Sequence, residues 1–188
     1  MFDKTHLLSL MQINKTKSIN TFYTQQIRTE IGTILAIADK NFLYCSIFIN
    51  ENTTKIISNL LKIYNARLLP ESNSILELTK FELDKYFDGK LKKFSIPLKQ
   101  TGTDFQSKCW QELSKIPYGE TISYLDEATN IGKPKAFRAV ANANGKNHFP
   151  IIIPCHRVIN SNGKLGGYTG GIEKKIFLLK NEGNPITK

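Results

Sequence analysis

The chain has 188 residues, 40% hydrophobic and 22% charged, enough for one good core or two small domains. No apolar run approaches the roughly 18 residues of a membrane span, and residues 7–11 are too few for a secretory signal; an intracellular, cytoplasmic protein with no membrane partner is expected. Three scattered cysteines (Cys45, Cys109, Cys155) and three histidines (His6, His148, His156) without ligand spacing argue against a disulfide framework or structural metal, so no cofactor and no metal are expected.

A net charge of +10 favours a polyanionic partner. The excess is spread evenly: 14 basic and 9 acidic residues in 1–100, 12 and 7 in 101–188, a net +5 in each. An ordinary solvated surface accounts for that equally well, and nucleic-acid binding needs a second argument.

Residues 1–27, rich in Lys, Asn, Thr and Ser without periodicity, predict a loosely held leader. The β-branched and aromatic runs 31–38 and 42–49, joined by Asp39-Lys40-Asn41, predict a hairpin. Helices follow over 53–65 and 74–87. The second has Ser74 and Glu77 as a capping box and Gly89 as terminator. This first part, 28–100, reads as an α/β domain, and the basic stretch 90–100 as a linker to a second domain over 101–188.

In the second domain, Thr103 and Gln106 box the start of a helix whose face carries Phe105, Cys109, Leu113 and Ile116 and which Pro117 stops; Cys109 and Trp110 read as core. A short helix over 123–130, a turn at Ile131-Gly132-Lys133 and a second helix over 134–144 have the spacing of a helix-turn-helix. At 100° per residue Ala136, Ala139, Val140 and Ala143 share one side, while Arg138, Lys135, Ala141 and Asn142 point outward. That thin outer face suits a nucleic-acid groove, and suits a solvated helix as well.

Residues 149–160 hold the most chemistry. Ile151, Ile152 and Ile153 predict a buried strand, which Pro154 ends beside Cys155, His156 and Arg157. A thiol next to an imidazole and a guanidinium is expected to ionise more readily than a free one. Adjacent extended residues face opposite sides, so Cys155 and His156 meet only through a turn or a bridging water. The plain alternative is a buried structural thiol. A glycine-rich loop around Tyr168 and Thr169 reads as a pocket border, and Glu182 ends a last helix over 172–181. A carboxylate there faces the negative pole of the helix and calls for a partner, with His156 a candidate.

Four motifs occur in order: Ile116-Pro117-Tyr118-Gly119-Glu120-Thr121-Ile122-Ser123-Tyr124, Arg138-Ala139-Val140, Ile153-Pro154-Cys155-His156-Arg157-Val158-Ile159 and Gly166-Gly167-Tyr168-Thr169-Gly170-Gly171. Together they closely resemble the O6-alkylguanine-DNA alkyltransferases. The resemblance is strong over 101–183 and looser before, where Ile31-Gly32-Thr33 and Tyr86-Phe87-Asp88-Gly89 look like the family's N-terminal domain. It implies an α/β N-terminal domain of ribonuclease-H-like type and a mainly α C-terminal winged-helix domain containing the helix-turn-helix. It implies DNA repair by direct reversal: one irreversible transfer of an alkyl group from O6 of guanine, with O4 of thymine a second candidate, to a cysteine in a monomeric, cofactor-free protein.

By resemblance, Cys155 is the alkyl acceptor, His156 takes its proton through a water, and Glu182 orients that imidazole. Asn147 holds the site's backbone, Tyr124 hydrogen-bonds N3 of the guanine, and Val158, Tyr168 and Thr169 border the pocket. Arg138 is the finger that fills the stack when the base flips out, with Lys135, Ala139, Tyr124 and Thr169 also toward the minor groove of double-stranded DNA. The chain departs from the family at Phe137, Ala141 and His148, where small residues, glycine and proline are usual. Two other readings stay open: a damage-binding protein with a silent cysteine, and a cysteine hydrolase built on Cys155, His156 and Glu182.

Overall fold

A computed structural model describes residues 20–184. The chain divides into two units: the residues up to Lys85 with Ser95–Lys99, and Tyr86–Phe94 with everything from Gln100 on. No helix among the described residues is long and apolar enough to cross a membrane.

The first unit is a four-stranded sheet in the order β3-β2-β1-β4. Strands β1 (Asn20–Thr29), β2 (Gly32–Ala38) and β3 (Leu43–Phe48) pair antiparallel, and β4 (Ala66–Leu69) returns parallel to β1. Asp39 builds the expected hairpin turn, its Oδ1 accepting from the backbone N–H groups of Asn41 and Phe42 at 2.7 Å each. Helix α1 (Thr53–Ile63) buries Ile57, Leu60 and Leu61, at i, i+3 and i+4, in one core with Phe22, Leu35, Ile37, Cys45 and Ile47.

Three expectations change here. Residues 20–27 are not leader but most of β1, an inner strand; residues 1–19 lie outside the described part. The strand was hidden by its polar content: only Phe22, Thr24 and Ile27 turn inward, and Thr24 is satisfied by donating its hydroxyl to the Ala36 carbonyl at 2.9 Å. The supposed linker also splits between the units. Its Pro97–Lys99 stretch pairs with Leu43 (Leu43 N to Pro97 O and Lys99 N to Leu43 O, both 2.8 Å), so it extends the sheet. The cap of α2 (Ser74–Phe87) is Asn73, whose Oδ1 accepts from the Leu76 N–H at 3.0 Å, while Glu77 faces Ser72 and Gln25. Gly89 terminates that helix as expected, with φ +70° and its N–H on the Tyr86 carbonyl at 3.0 Å.

The second unit is mainly helical. Helix α3 (Asp104–Leu113) starts with the expected Thr103/Gln106 capping box and buries Cys109, Trp110 and Leu113. Trp110 donates its indole N–H to the Ala143 carbonyl at 3.0 Å. Strand β5 (Ile122–Ser123) leads into α4 (Tyr124–Asn130), capped by a reciprocal Ser123/Asp126 box. It ends in a Schellman turn, Lys133 N–H to Ala128 O at 2.8 Å and Gly132 N–H to Thr129 O at 2.9 Å, with Gly132 at φ +73°. The next helix is shorter than expected. Pro134–Ala136 form a 3₁₀ turn and α5 spans Phe137–Asn144. That change of pitch breaks the assumed 100° phase, so the buried face is Val140, Ala143 and Asn144; Ala136 is half-buried and Ala139 exposed. Arg138 and Lys135 face outward as expected.

The isoleucine run is no strand. Ile151 sits at φ +75°, Ile153 N–H reaches back to Phe149 O at 2.8 Å, and the chain passes into a 3₁₀ turn over Cys155–Arg157. The side chain of Asn147 and two prolines, which lack donors, claim the backbone there, so β-branched apolar residues mark burial rather than a ladder. Pairing resumes at β6 (Val158–Ile159), parallel to β5. Helix α6 (Ile172–Asn181) closes the unit with Glu182 as its C-cap.

Asn73→Ala is expected to cost about 1–2 kcal/mol, since it removes the cap and a 2.7 Å donor to the Asp39 carbonyl, while exposed Ser74→Ala costs under about 0.5 kcal/mol. Urea midpoints of the two variants measure the difference.

Candidate active site

The site in the second unit is assembled around one buried carboxylate. Glu182 Oε1 accepts from the Tyr86 hydroxyl at 2.6 Å, from His156 Nε2 at 2.9 Å and from Arg157 Nη2 at 2.9 Å; Oε2 accepts from Arg157 Nε at 2.8 Å and the Gly119 N–H at 3.2 Å. Burial alone would push this carboxyl up, but the hydrogen bonds from His156 and Arg157, with the guanidinium charge, outweigh it and hold it well below the usual carboxylate range. Gly119 is required for this approach: it sits at φ +80°, and a Cβ there would stand 2.8 Å from the Glu182 carbonyl oxygen.

An ionised carboxylate only accepts, so the proton on His156 is at Nε2 and Nδ1 carries a lone pair. Nδ1 is buried without a hydrogen-bond partner among the described residues. Burial, with Arg157 and Lys175, keeps the imidazole below its ordinary 6.5 despite the pull of Glu182, so at neutral pH it is an unprotonated base.

Cys155 is also buried. Asn147 Nδ2 donates to its Sγ at 3.2 Å and to the Ile153 carbonyl at 2.8 Å, while Asn147 Oδ1 accepts from the Phe149 N–H at 2.8 Å. This one amide ties the turn together, and His148 in place of proline leaves all three contacts standing. The expectation of an easily ionised thiol is overturned: burial pushes Cys155 up to about 11, more than Asn147 and Lys175 bring it down. The guanidinium meant to help is turned away, held by Glu182 and by the Ile116 carbonyl at 2.7 Å. The thiol waits as S–H and needs a base.

Cys155 opens onto a cavity of about 220 Å³ walled by Tyr124, Ala141, Asn144, Gly145, Tyr168 and Thr169. Burial raises the Tyr124 phenol to about 12, so it is a hydrogen-bond donor there. Thr169 donates its hydroxyl to the Gly145 carbonyl at 3.1 Å, pinning the glycine-rich loop to the end of α5. A second cavity of about 440 Å³ adjoins it, lined by Tyr124, Leu125, Phe137, Arg138 and Ala141. Val158 is fully buried in β6, and neither it nor Ala139 nor Lys135 is among the residues lining these two cavities.

Three site residues escaped the sequence reading. Arg157 was given only the role of easing ionisation of the thiol, Tyr86 lies in a motif matched only loosely, and Lys175 was passed over. Lys175 is fully buried and donates to the carbonyls of Val158, Leu165 and Gly167, with burial lowering it to about 8. Its signal was present: with Leu178, Leu179 and Glu182 it forms one stripe at i, i+3, i+4 and i+7.

Residues 104–184 match the family described as 6-O-methylguanine DNA methyltransferase, DNA binding domain, which sets the class of the second unit. A methylated-DNA–protein-cysteine methyltransferase of Methanosarcina mazei is 41% identical over 165 residues, covering 87% of this chain and 99% of that relative. One from Methanosarcina barkeri is 55% identical over 105 residues, an alignment spanning 66% of its own length. The structure of Mycobacterium tuberculosis OGT in complex with DNA matches with TM-score 0.73 at 37% identity, covering 86% of this chain and 92% of that one. The chain belongs to the methylated-DNA–protein-cysteine methyltransferase family.

Arg157→Ala strands the Glu182 carboxylate and is expected to cost about 3–5 kcal/mol, with Arg157→Lys recovering part of it, as read from urea midpoints. Because the folded Glu182 carboxyl lies below its ordinary 4.5, its contribution is full above that pH and fades as pH falls toward the folded value. Glu182→Gln should lack that acid-side loss in thermal melts.

Proposed function

We propose that this protein repairs DNA by direct reversal, accepting an alkyl group from O6 of guanine onto Cys155 once and irreversibly. The observation that carries the reading is the buried Cys155 thiol at the wall of a small cavity, beside an imidazole whose tautomer Glu182 dictates. In the reaction, His156 Nδ1 takes the Sγ proton through one water, and the sulfur attacks the alkyl carbon. The S–C bond forms as the C–O bond breaks. The released electron pair stays on the purine, which leaves neutral because the Tyr124 hydroxyl passes its proton to ring N3, and the proton that His156 took from Sγ is returned to Tyr124 through water. A thioether is a poor leaving group, so each molecule acts once, and no cofactor is needed.

The target atom is unreachable inside a duplex, so the base must rotate out at a cost of a few kcal/mol. Arg138, exposed on α5 and stacked 5.6 Å from the Phe137 ring, is suited to fill the gap from the minor groove. The α4-turn-α5 arrangement with the β5/β6 pair supports a winged-helix domain containing a helix-turn-helix. The 3-2-1-4 sheet order supports a ribonuclease-H-like first domain. Even charge and few base-reading side chains fit monomeric, largely sequence-independent binding inside the cell.

Intact-protein mass after incubation with duplex DNA carrying one O6-methylguanine should rise by one methylene, saturating at one equivalent on the peptide with Cys155; Cys155→Ser should take up none. Lesion binding without mass gain would favour the damage-binding reading, and continuing turnover the hydrolase. Because the His156 base is held below its ordinary 6.5, the single-turnover rate should decline on the acid side of that value, and His156→Ala should slow it by about 10²–10⁴-fold.

A further inference from the structure

A second buried carboxylate lies behind the cavity and has no part in the mechanism above. Glu127 of α4 is fully buried, and its Oε2 accepts from Asn144 Nδ2 at 2.7 Å. Asn144, in the last turn of α5, lines the Cys155 cavity. The remaining oxygens of the pair, Glu127 Oε1 and Asn144 Oδ1, are both buried without a hydrogen-bond partner among the described residues. Two acceptors cannot satisfy each other. One proton on Oε1 would turn one of them into a donor able to pair with Oδ1 beside the observed N–H to Oε2 bond.

We propose that Glu127 is a positioning residue for alkyl transfer: a proton-bridged Glu127–Asn144 pair locks α5 to α4 and sets the Asn144 wall of the cavity onto which Cys155 opens. The inference rests on Cys155 being the alkyl acceptor. The surroundings agree with a neutral acid. Burial pushes the Glu127 carboxyl up to about 7, against the Asn144 hydrogen bond, and the Glu112 charge on α3 adds to the rise. The other titratable groups that sense Glu127 are Cys109 of α3, Tyr124 of its own helix and Cys155; a negative charge at Glu127 raises all three. Loss of the proton therefore breaks one bond of the pair and makes Cys155 harder to ionise at the same time.

The test compares wild type, Glu127→Gln and Glu127→Leu as full-length proteins, by single-turnover methyl uptake from O6-methylguanine duplex and by thermal melts across pH. Glutamine offers the same donor and acceptor without a titrating proton; leucine offers neither. Glu127→Leu should slow uptake about tenfold or more at every pH, with Glu127→Gln restoring most of the rate. The wild-type to Glu127→Gln rate ratio should fall by about tenfold as pH rises through 7. A ratio constant with pH, or Glu127→Leu reacting like wild type, overturns the proposal.

The melts give a readout independent of alkyl transfer. A carboxyl raised in the folded state loses its proton first in the unfolded chain, so wild-type stability should fall between 4.5 and about 7 relative to Glu127→Gln. Parallel melting curves would overturn the proton-bridged pair. Wild type that takes no methyl would instead overturn the acceptor role of Cys155, while the melts still decide the pair.

Discussion

Everything in the second unit that bears on chemistry converges on the carboxylate of Glu182. A charge taken out of water is tolerated only when paired and hydrogen-bonded on all sides, and this one collects five hydrogen bonds from three stretches of chain: Tyr86, Gly119 and the adjacent His156 and Arg157. Its place at the end of α6 makes the demand larger, because the free carbonyls there already carry partial negative charge. The bidentate guanidinium of Arg157 meets that demand and fixes the 3₁₀ turn on which Cys155 and His156 sit. The carboxylate thus does two things at once. It holds the turn, and it decides which imidazole nitrogen is free to act as a base.

The same burial that makes Glu182 expensive makes Cys155 quiet. A thiol raised to about 11 is almost wholly protonated near neutrality, hence a poor target for oxidants and adventitious electrophiles. Under the proposed function this is an advantage, since the group would be consumed by one reaction and would react only when an electrophilic carbon is delivered to the cavity and His156 draws off the proton. Lys175 contributes from the other side: its charge favours the thiolate, and its three carbonyl partners keep the glycine-rich loop against β6. Asn147 supplies the remaining constraint by holding the Ile153 carbonyl and Sγ with one amide nitrogen.

The parts legible in the sequence are those set by local chemistry. The Thr103/Gln106 box, the Gly89 stop, the Asp39 turn and the Gly132 turn between α4 and α5 depend on residues a few positions apart, and their side chains name them. The parts that were misread depend on distant partners. Strand β1 is inner because β2 and β4 flank it, which its own run of threonines and glutamines does not reveal. The isoleucines before Pro154 were read as a strand because burial and β-branching look alike there, while Asn147, several residues earlier, had already taken their backbone. Cys155, His156 and Glu182 were singled out by resemblance and position. The contacts of Arg157, Tyr86 and Lys175 with Glu182 and the glycine-rich loop were not, because each is made only after folding.

Under the proposed function, the link between recognition and chemistry runs through α5. Its outer face carries Phe137 and Arg138, its middle carries Ala141 into both cavities, and its end presents Asn144 and Gly145 to the space beside Cys155. Eight residues therefore span from the proposed DNA-facing surface to the reacting sulfur, about 12 Å of helix at 1.5 Å per residue. A rigid rod of that length has little freedom to tilt, since Trp110 grips the Ala143 carbonyl and Thr169 the Gly145 carbonyl. Under the proposed function, a base rotated out past Arg138 meets a cavity whose walls belong to the same helix that displaced it. Ala141 in place of glycine and Phe137 in place of a small residue then act at opposite ends of one element. The first adds a methyl to the wall shared by both cavities, and the second enlarges the apolar surface beside the arginine.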